Sequence, residues 1–134
     1  MTVVGDMAVV FDTLMGRTGQ ISSGSPSLPI SWPEKEFTTP DDGRYLEVII
    51  FPNRPSFEGL ASGRVDQGLL QISVVWPKGE GVIAAMEIAD EVAAQFYMGS
   101  RFGRIKVYRQ PWISTPLSED DRVKIPITIP WVSS

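Results

Sequence analysis

Cysteine and histidine are both absent from this chain. Without cysteine there is no disulfide, no thiolate metal site and no cysteine nucleophile. Without histidine there is no side chain whose unperturbed pKa lies near neutrality. Ser-His-Asp hydrolysis, His-ligated zinc and His-based phosphotransfer are therefore excluded. An enzyme built from this sequence would have to work with carboxylates, lysine or tyrosine, so the expectation is a non-enzymatic protein with no cofactor and no metal.

Long apolar runs are missing too. None approaches the roughly 20 residues that span a bilayer, and no membrane partner is expected. The opening "MTVVGDMAVVF" lacks a basic region and carries Asp6 within its apolar portion, so it does not read as a secretory signal. An excess of positive charge is also lacking: the net charge is −4, which argues against a general nucleic-acid binder. One basic stretch, "RFGRIKVYR", gathers Arg101, Arg104, Lys106 and Arg109 with aromatics interleaved. It reads as a strand with exposed cations, or alternatively as a small nucleic-acid platform.

What the sequence does contain is an ordinary globular mixture, 43% hydrophobic and 21% charged, which disfavours disorder. A length of 134 residues suits one domain spanning 1–134. Val3, Met7, Val10, Phe11 and Leu14 have helical spacing, with Gly16 placed to end a first helix over Val3 to Met15. The Ser/Gly/Pro-rich stretch from Gly19 to Glu34 reads as a loop or extended connection, with a possible short strand near Ile30.

"RYLEVIIFP", Arg44 to Pro52, is rich in β-branched and aromatic residues and lies between turn signals, so it predicts a strand. In Gln67 to Trp76 alternation puts Leu70, Ile72, Val74 and Trp76 on one face, predicting its antiparallel partner. The tip between them, Asn53 to Arg64, carries Phe57 and Leu60 among polar residues and is a candidate contact surface. A second helix is predicted from about Gly81 to Met98, with Ala85, Ile88, Ala89, Val92 and Phe96 in one stripe and Gly99 at its end.

Three β-like segments follow, Arg104 to Gln110, Trp112 to Pro116 and Arg122 to Val132, with "PLSEDD" as an acidic turn before the last. Pro126 and Pro130 have equal parity in the last segment, so both missing N–H groups face the same lateral side. Only an edge strand, or one locally unpaired on that side, tolerates this. The predicted order is α-β-β-α-β-β-β, an α+β fold with a mainly antiparallel sheet and two helices packed on one face.

The turn "WPKGEG" between strand and helix invites comparison with a phosphate cradle. Its lysine, Lys78, precedes the glycines and no Ser or Thr opens the helix, so the P-loop pattern fails. Glu80 between Gly79 and Gly81 would repel an anion and suits the positive end of a helix dipole. A tight strand-to-helix turn is the expectation, with a phosphate- or nucleotide-binding protein using Lys78 to Gly81 as the alternative. The clusters Asp41/Asp42 and Glu119/Asp120/Asp121 lack EF-hand spacing and read as turn acids.

The order of motifs says more than any one of them. Trp32, Phe37 and Pro40 lead into a strand; Gly68, Gln71, Ile72 and Val74 follow; then come Pro77, Gly79 and Gly81, Ala85, Ile88 and Ala89, and an alternating strand ending at Trp131. This series, from about Met1 to Trp131, resembles the tail terminator-like proteins of long-tailed bacteriophages, related in fold to the phage lambda terminator. The resemblance implies a non-enzymatic virion component, assembled in the host cytoplasm and located at the head-proximal end of the tail. It implies a homo-oligomeric ring of six subunits that stops tube polymerisation, with the tail tube protein and a head-completion or neck protein as partners. DNA would pass through the lumen without specific binding. A neighbouring head-completion or neck connector is the alternative within the class. Phe57, Glu58, Leu60 and Arg64 are then candidates for contact with the tube or a neighbouring subunit. Arg101, Arg104 and Arg109 are candidates for pairing with Glu119, Asp120 and Asp121 across subunits.

Overall fold

A computed structural model of the chain describes residues 12, 13, 16, 28–32, 35–52, 56–57, 64–103, 105–119 and 121–133. Alternation of β-branched and polar residues generates the two longest strands, β4 (Arg64–Pro77) and β9 (Arg122–Ser133). They pair antiparallel without interruption from Asp66 opposite Ser133 to Pro77 opposite Arg122. Strand β2 (Tyr45–Pro52) lies antiparallel on the other side of β4, in the pairing expected from sequence. Strand β1 (Ile30–Ser31) adds to β2 in parallel, and β3 (Ser56–Phe57) pairs with Arg64 and Val65 at the start of β4.

Beyond β9 lie β5 (Arg101–Phe102), β6 (Ile105–Val107), β7 (Trp112–Ile113) and β8 (Leu117–Ser118). The sheet order is β1-β2-β4-β9-β6-β5, with β7 and β8 also on β9. Helix α1 (Ile83–Gln95) packs on one face, against β9, β4 and β7.

The α+β expectation of two helices on a mainly antiparallel sheet is overturned. The fold is mainly β, with α1 the one helix described in full and a mixed sheet, because β1 runs parallel to β2. The helix expected over Val3 to Met15 lies outside the described residues except for Asp12 and Thr13, which are helical; Gly16, expected to end it, is helical as well. The order α-β-β-α-β-β-β also missed β3 and β5, and read β8 as part of an acidic turn. Among the described residues, the segments expected over Arg104 to Gln110 and Trp112 to Pro116 are β-paired only at Ile105–Val107 and Trp112–Ile113. Two-residue strands span a single β period, so no repeat is present for periodicity to register.

The prolines of β9 explain those fragments. Segments β6, β7 and β8 run in succession along the side of β9 that faces away from β4. The Ser114 N–H donates to the Pro126 carbonyl at 2.9 Å, so the lateral groups of Pro126 face this side. With no N–H at Pro126 or Pro130 to complete a ladder, the neighbour is broken around both positions. The last strand is thus central and locally unpaired on one side, the second of the two arrangements its sequence allowed.

The core lies between sheet and helix. Leu46, Val48, Ile50, Leu70, Ile72, Val74, Ile125, Ile127, Ile129 and Trp131 present one continuous face, and Ala85, Ala89, Val92 and Phe96 of α1 and its end close over it. Small side chains on the inner stripe of α1 let its backbone approach the sheet closely. Helix α1 has no side-chain cap at Val82, and it ends at Gln95 with the Phe96 N–H donating to the Ala93 carbonyl. Gly99, expected to end the helix, does take the left-handed conformation (φ 94°), but beyond the cap, where its N–H donates to the Val107 carbonyl at 2.7 Å.

Truncating the centre of this face, Ile127→Ala, should lower unfolding free energy by about 2–5 kcal/mol through lost burial and a residual cavity. Glu87→Ala on the exposed side of α1 should stay within about 0.5 kcal/mol. Urea unfolding of the two variants checks both.

Candidate functional site

The turn from β4 into α1 is held from several directions. Gly79 and Gly81 have φ of 93° and 79°, and an added Cβ at either would meet nothing within 4 Å. Left-handed backbone, not lack of room, is what calls for glycine there. The Lys78 N–H donates to the Asp121 carbonyl at 3.3 Å, and its Nζ donates to the Glu119 carbonyl at 3.2 Å. Glu80 pairs with Arg44, whose guanidinium lies 4.7 Å from the Trp76 ring centre. Glu80 therefore does not cap the helix as its position suggested. Lysine and carboxylate are both committed to tying this turn to the β8–β9 connection and to the start of β2. The arrangement is a brace, not a phosphate cradle.

A second network adjoins it. The Arg122 guanidinium donates from Nε to Glu119 Oε1 at 2.9 Å and from Nη1 to the Tyr45 hydroxyl at 2.7 Å. Lys124 Nζ lies 3.0 Å from Glu47 Oε1 and 3.7 Å from Glu119 Oε2. The hydrogen bond from Arg122, followed by the charge of Lys124, holds the Glu119 carboxyl below the usual carboxylate range. The same bond pushes the Arg122 guanidinium up. Asp41, Asp42 and Asp121 line a shallow cavity of about 230 Å³ with Tyr45, Val75 and Arg122. Among the described residues no three carboxylates are arranged to hold a metal ion. Asp42 instead accepts from the Arg44 N–H at 3.1 Å, as turn acids do.

The residues singled out in the sequence are scattered. The backbone of Phe57 lies opposite that of Arg64 in the β3–β4 hairpin, while Glu58, Leu60, Arg104 and Asp120 lie outside the described residues. Arg101 is exposed on β5, and Arg109 is exposed with its guanidinium 5.7 Å from the Tyr108 ring centre. Neither forms an ion pair with Glu119 within the chain, where the Glu119 carboxylate is taken by Arg122 and Lys124.

Sequence reasoning missed a set of apolar residues on the face of the sheet opposite α1. Ile49, Gln71, Thr128 and Trp112 form one cross-strand row, and Phe51, Leu69 and Pro130 the next. Ile49, Phe51, Trp112 and, in a further row, Leu117 are exposed. The signal was available: Ile49 and Phe51 occupy the parity that a half-solvated strand gives to polar residues.

A family model described as phage tail terminator protein matches residues 10–131. No curated protein matches the chain. Four solved chains do. One of them, from a protein whose designation carries no functional description, superposes with a TM-score of 0.81 at 23% identity, covering 96% of this chain and 95% of that one. At that identity the likeness concerns the fold.

Gly79→Ala should cost about 1–2 kcal/mol, because an L-residue is forced into the left-handed region; thermal unfolding measures it. ATP with Mg²⁺ should leave the melting temperature unchanged, since the turn offers no free cation to a phosphate. The Glu119 carboxyl has a lowered folded pKa, so its contribution is fully present above the unfolded value and is lost as pH falls through the folded one. Glu119→Gln should therefore show a shallower acid limb than the parent when urea midpoints are compared from about pH 6 to about pH 2.5.

Proposed function

This chain belongs to the phage tail terminator family, and from that premise we propose that it ends the tail tube as a ring. It is a structural component of the phage tail. In the proposed role six copies close on the head-proximal end of the tube, stop its polymerisation and present a surface to the head-completion or neck protein. The observation that carries this reading is the family match over residues 10–131, which takes in β4, all but the last two residues of β9, α1 and the glycine turn.

Physical features support it. Closing a ring needs two different patches on each subunit, one meeting the other on the neighbour. The sheet has two unlike ends, a short parallel strand at β1 and a basic hairpin at β5–β6. A net charge of −4 suits a lumen through which DNA slides without sticking. The absence of histidine and cysteine suits a protein that does no chemistry. Within this reading Phe57, Glu58, Leu60 and Arg64 at the hairpin belong to contact with the tube or a neighbouring subunit. Arg101, Arg104 and Arg109 belong to a subunit boundary. Glu119 keeps Arg122 and Lys124 as its own partners, which leaves the basic residues to find their acid elsewhere on the neighbour.

Phage from which this gene is deleted should produce tails of uncontrolled length, or tails unjoined to filled heads, in negative-stain images. Normal tails beside leaking heads would instead assign the chain to head completion. Native mass spectrometry of the purified protein should show a closed oligomer; a strict monomer in solution and in the virion would overturn the ring.

A further inference from the structure

Two charged surfaces of this subunit form no ion pair among the described residues. On β5 and β6, Arg101 stands directly opposite Lys106 in an antiparallel pair. Like charges so placed repel and weaken a sheet. Neither residue forms an ion pair among the described residues. On α1, Glu87, Asp90 and Glu91 are all exposed, no cation occurs anywhere between Ile83 and Gln95, and these three acids are likewise without an ion pair.

The sheet fixes where each patch points. Ile105 and Val107 are buried in the core, and Phe102 packs edge-on to Phe96 at a ring separation of 5.9 Å. Alternation then sends Arg101 and Lys106 to the opposite face, the one that carries Ile49, Phe51, Trp112 and Leu117. Helix α1 covers the core face and turns Glu87, Asp90 and Glu91 outward from it. Acidic and basic patches thus lie on opposite sides of one molecule, with the sheet between them. They cannot neutralise each other within a subunit.

We propose that the face of the sheet turned away from α1, where Ile49, Phe51, Trp112 and Leu117 are exposed around the buried Ser73, Val75 and Thr128 and where Arg101 and Lys106 stand at the edge, receives the outer face of α1 of a second copy. The proposal rests on the ring reading above and names the surfaces that would close it. The two faces match in more than charge. The sheet contributes exposed apolar side chains, Trp112 at 49% and Phe51 at 45%. The helix and its end contribute Ile83 at 73% and Tyr97 at 59%, flanking the three acids. Burying apolar surface supplies affinity, while the charges set orientation and association rate. Because each copy has one patch of each kind, the contact runs head to tail, the heterologous type from which rings are built. DNA is the other anion that could meet Arg101 and Lys106, but the chain as a whole is negative and the two cations share their face with exposed hydrophobic side chains rather than a basic groove.

The test uses full-length protein, with assembly followed by native mass spectrometry and sedimentation over a range of concentration and salt. Arg101→Glu with Lys106→Glu, and separately Glu87→Lys with Asp90→Lys and Glu91→Lys, should each raise the concentration for half-assembly at least about tenfold. One chain carrying all five reversals should assemble nearly as the parent does. Far-UV circular dichroism should stay unchanged, and the milder Arg101→Gln/Lys106→Gln pair should weaken assembly in the same direction without introducing repulsion. Reversals that leave assembly intact would overturn this interface while the ring stands. Loss of low-salt duplex DNA binding in the Arg101/Lys106 variant with assembly unchanged would overturn it in favour of nucleic acid. A parent protein that is monomeric at every concentration would overturn the ring itself, and the interface with it.

Discussion

The uninterrupted pairing of β4 with β9 is the constraint from which the rest of this structure is built. From Asp66 opposite Ser133 to Pro77 opposite Arg122 the two strands hold each other in a single register. A slip of β9 by one residue would turn Ile125, Ile127 and Ile129 together away from the face they share with Leu70, Ile72 and Val74. Everything else attaches to this pair. Strand β2 extends it on one side, α1 lies across it, and the broken series β6, β7, β8 fills the other side wherever the prolines of β9 permit.

That pair also explains why the two braces sit at one end. Pro77 and Arg122 are opposite each other, so the turn leaving β4 and the turn entering β9 are neighbours. Lys78 reaches the carbonyls of Asp121 and Glu119, and Arg122 reaches Glu119 and Tyr45, within this one corner. These are partly exposed contacts, and individually such ion pairs contribute little. Their effect is directional: they fix where α1 starts and hence how its buried alanines meet the sheet. The glycines of the turn serve the same end by allowing left-handed backbone.

Much of the fold was legible because its long elements carry a period. The faces of β2, β4 and β9, the antiparallel pairing of β2 with β4, and the buried stripe of α1 were all readable from the spacing of apolar residues. The prolines of β9 even announced an unpaired side. Fold class was not legible, because β3, β5, β7 and β8 are two residues long and β1 pairs in parallel through only Ile30 and Ser31. Such strands exist because a neighbour's free backbone groups capture them, and no local pattern encodes that. The proposed assembly surface was only partly visible in the sequence. Arg101 and Arg109 stood out as cations, but their expected partner Glu119 is satisfied by Arg122 and Lys124, three and five positions along the chain and on the adjoining strand.

By itself, the sequence determined the absence of histidine and cysteine chemistry, the alternation of the long strands, the amphipathic helix, the architectural glycine turn and an ordered series of motifs resembling a tail terminator. These follow from residue identity and near-neighbour spacing, which act before any distant segment is in place. Only the tertiary structure decided that β9 is central, that Glu119 and Lys78 are already engaged, and that Arg101 with Lys106 lies across the sheet from Glu87, Asp90 and Glu91. The reason is that a side chain's partners are set by strand order and register, and these depend on contacts between residues far apart in the chain.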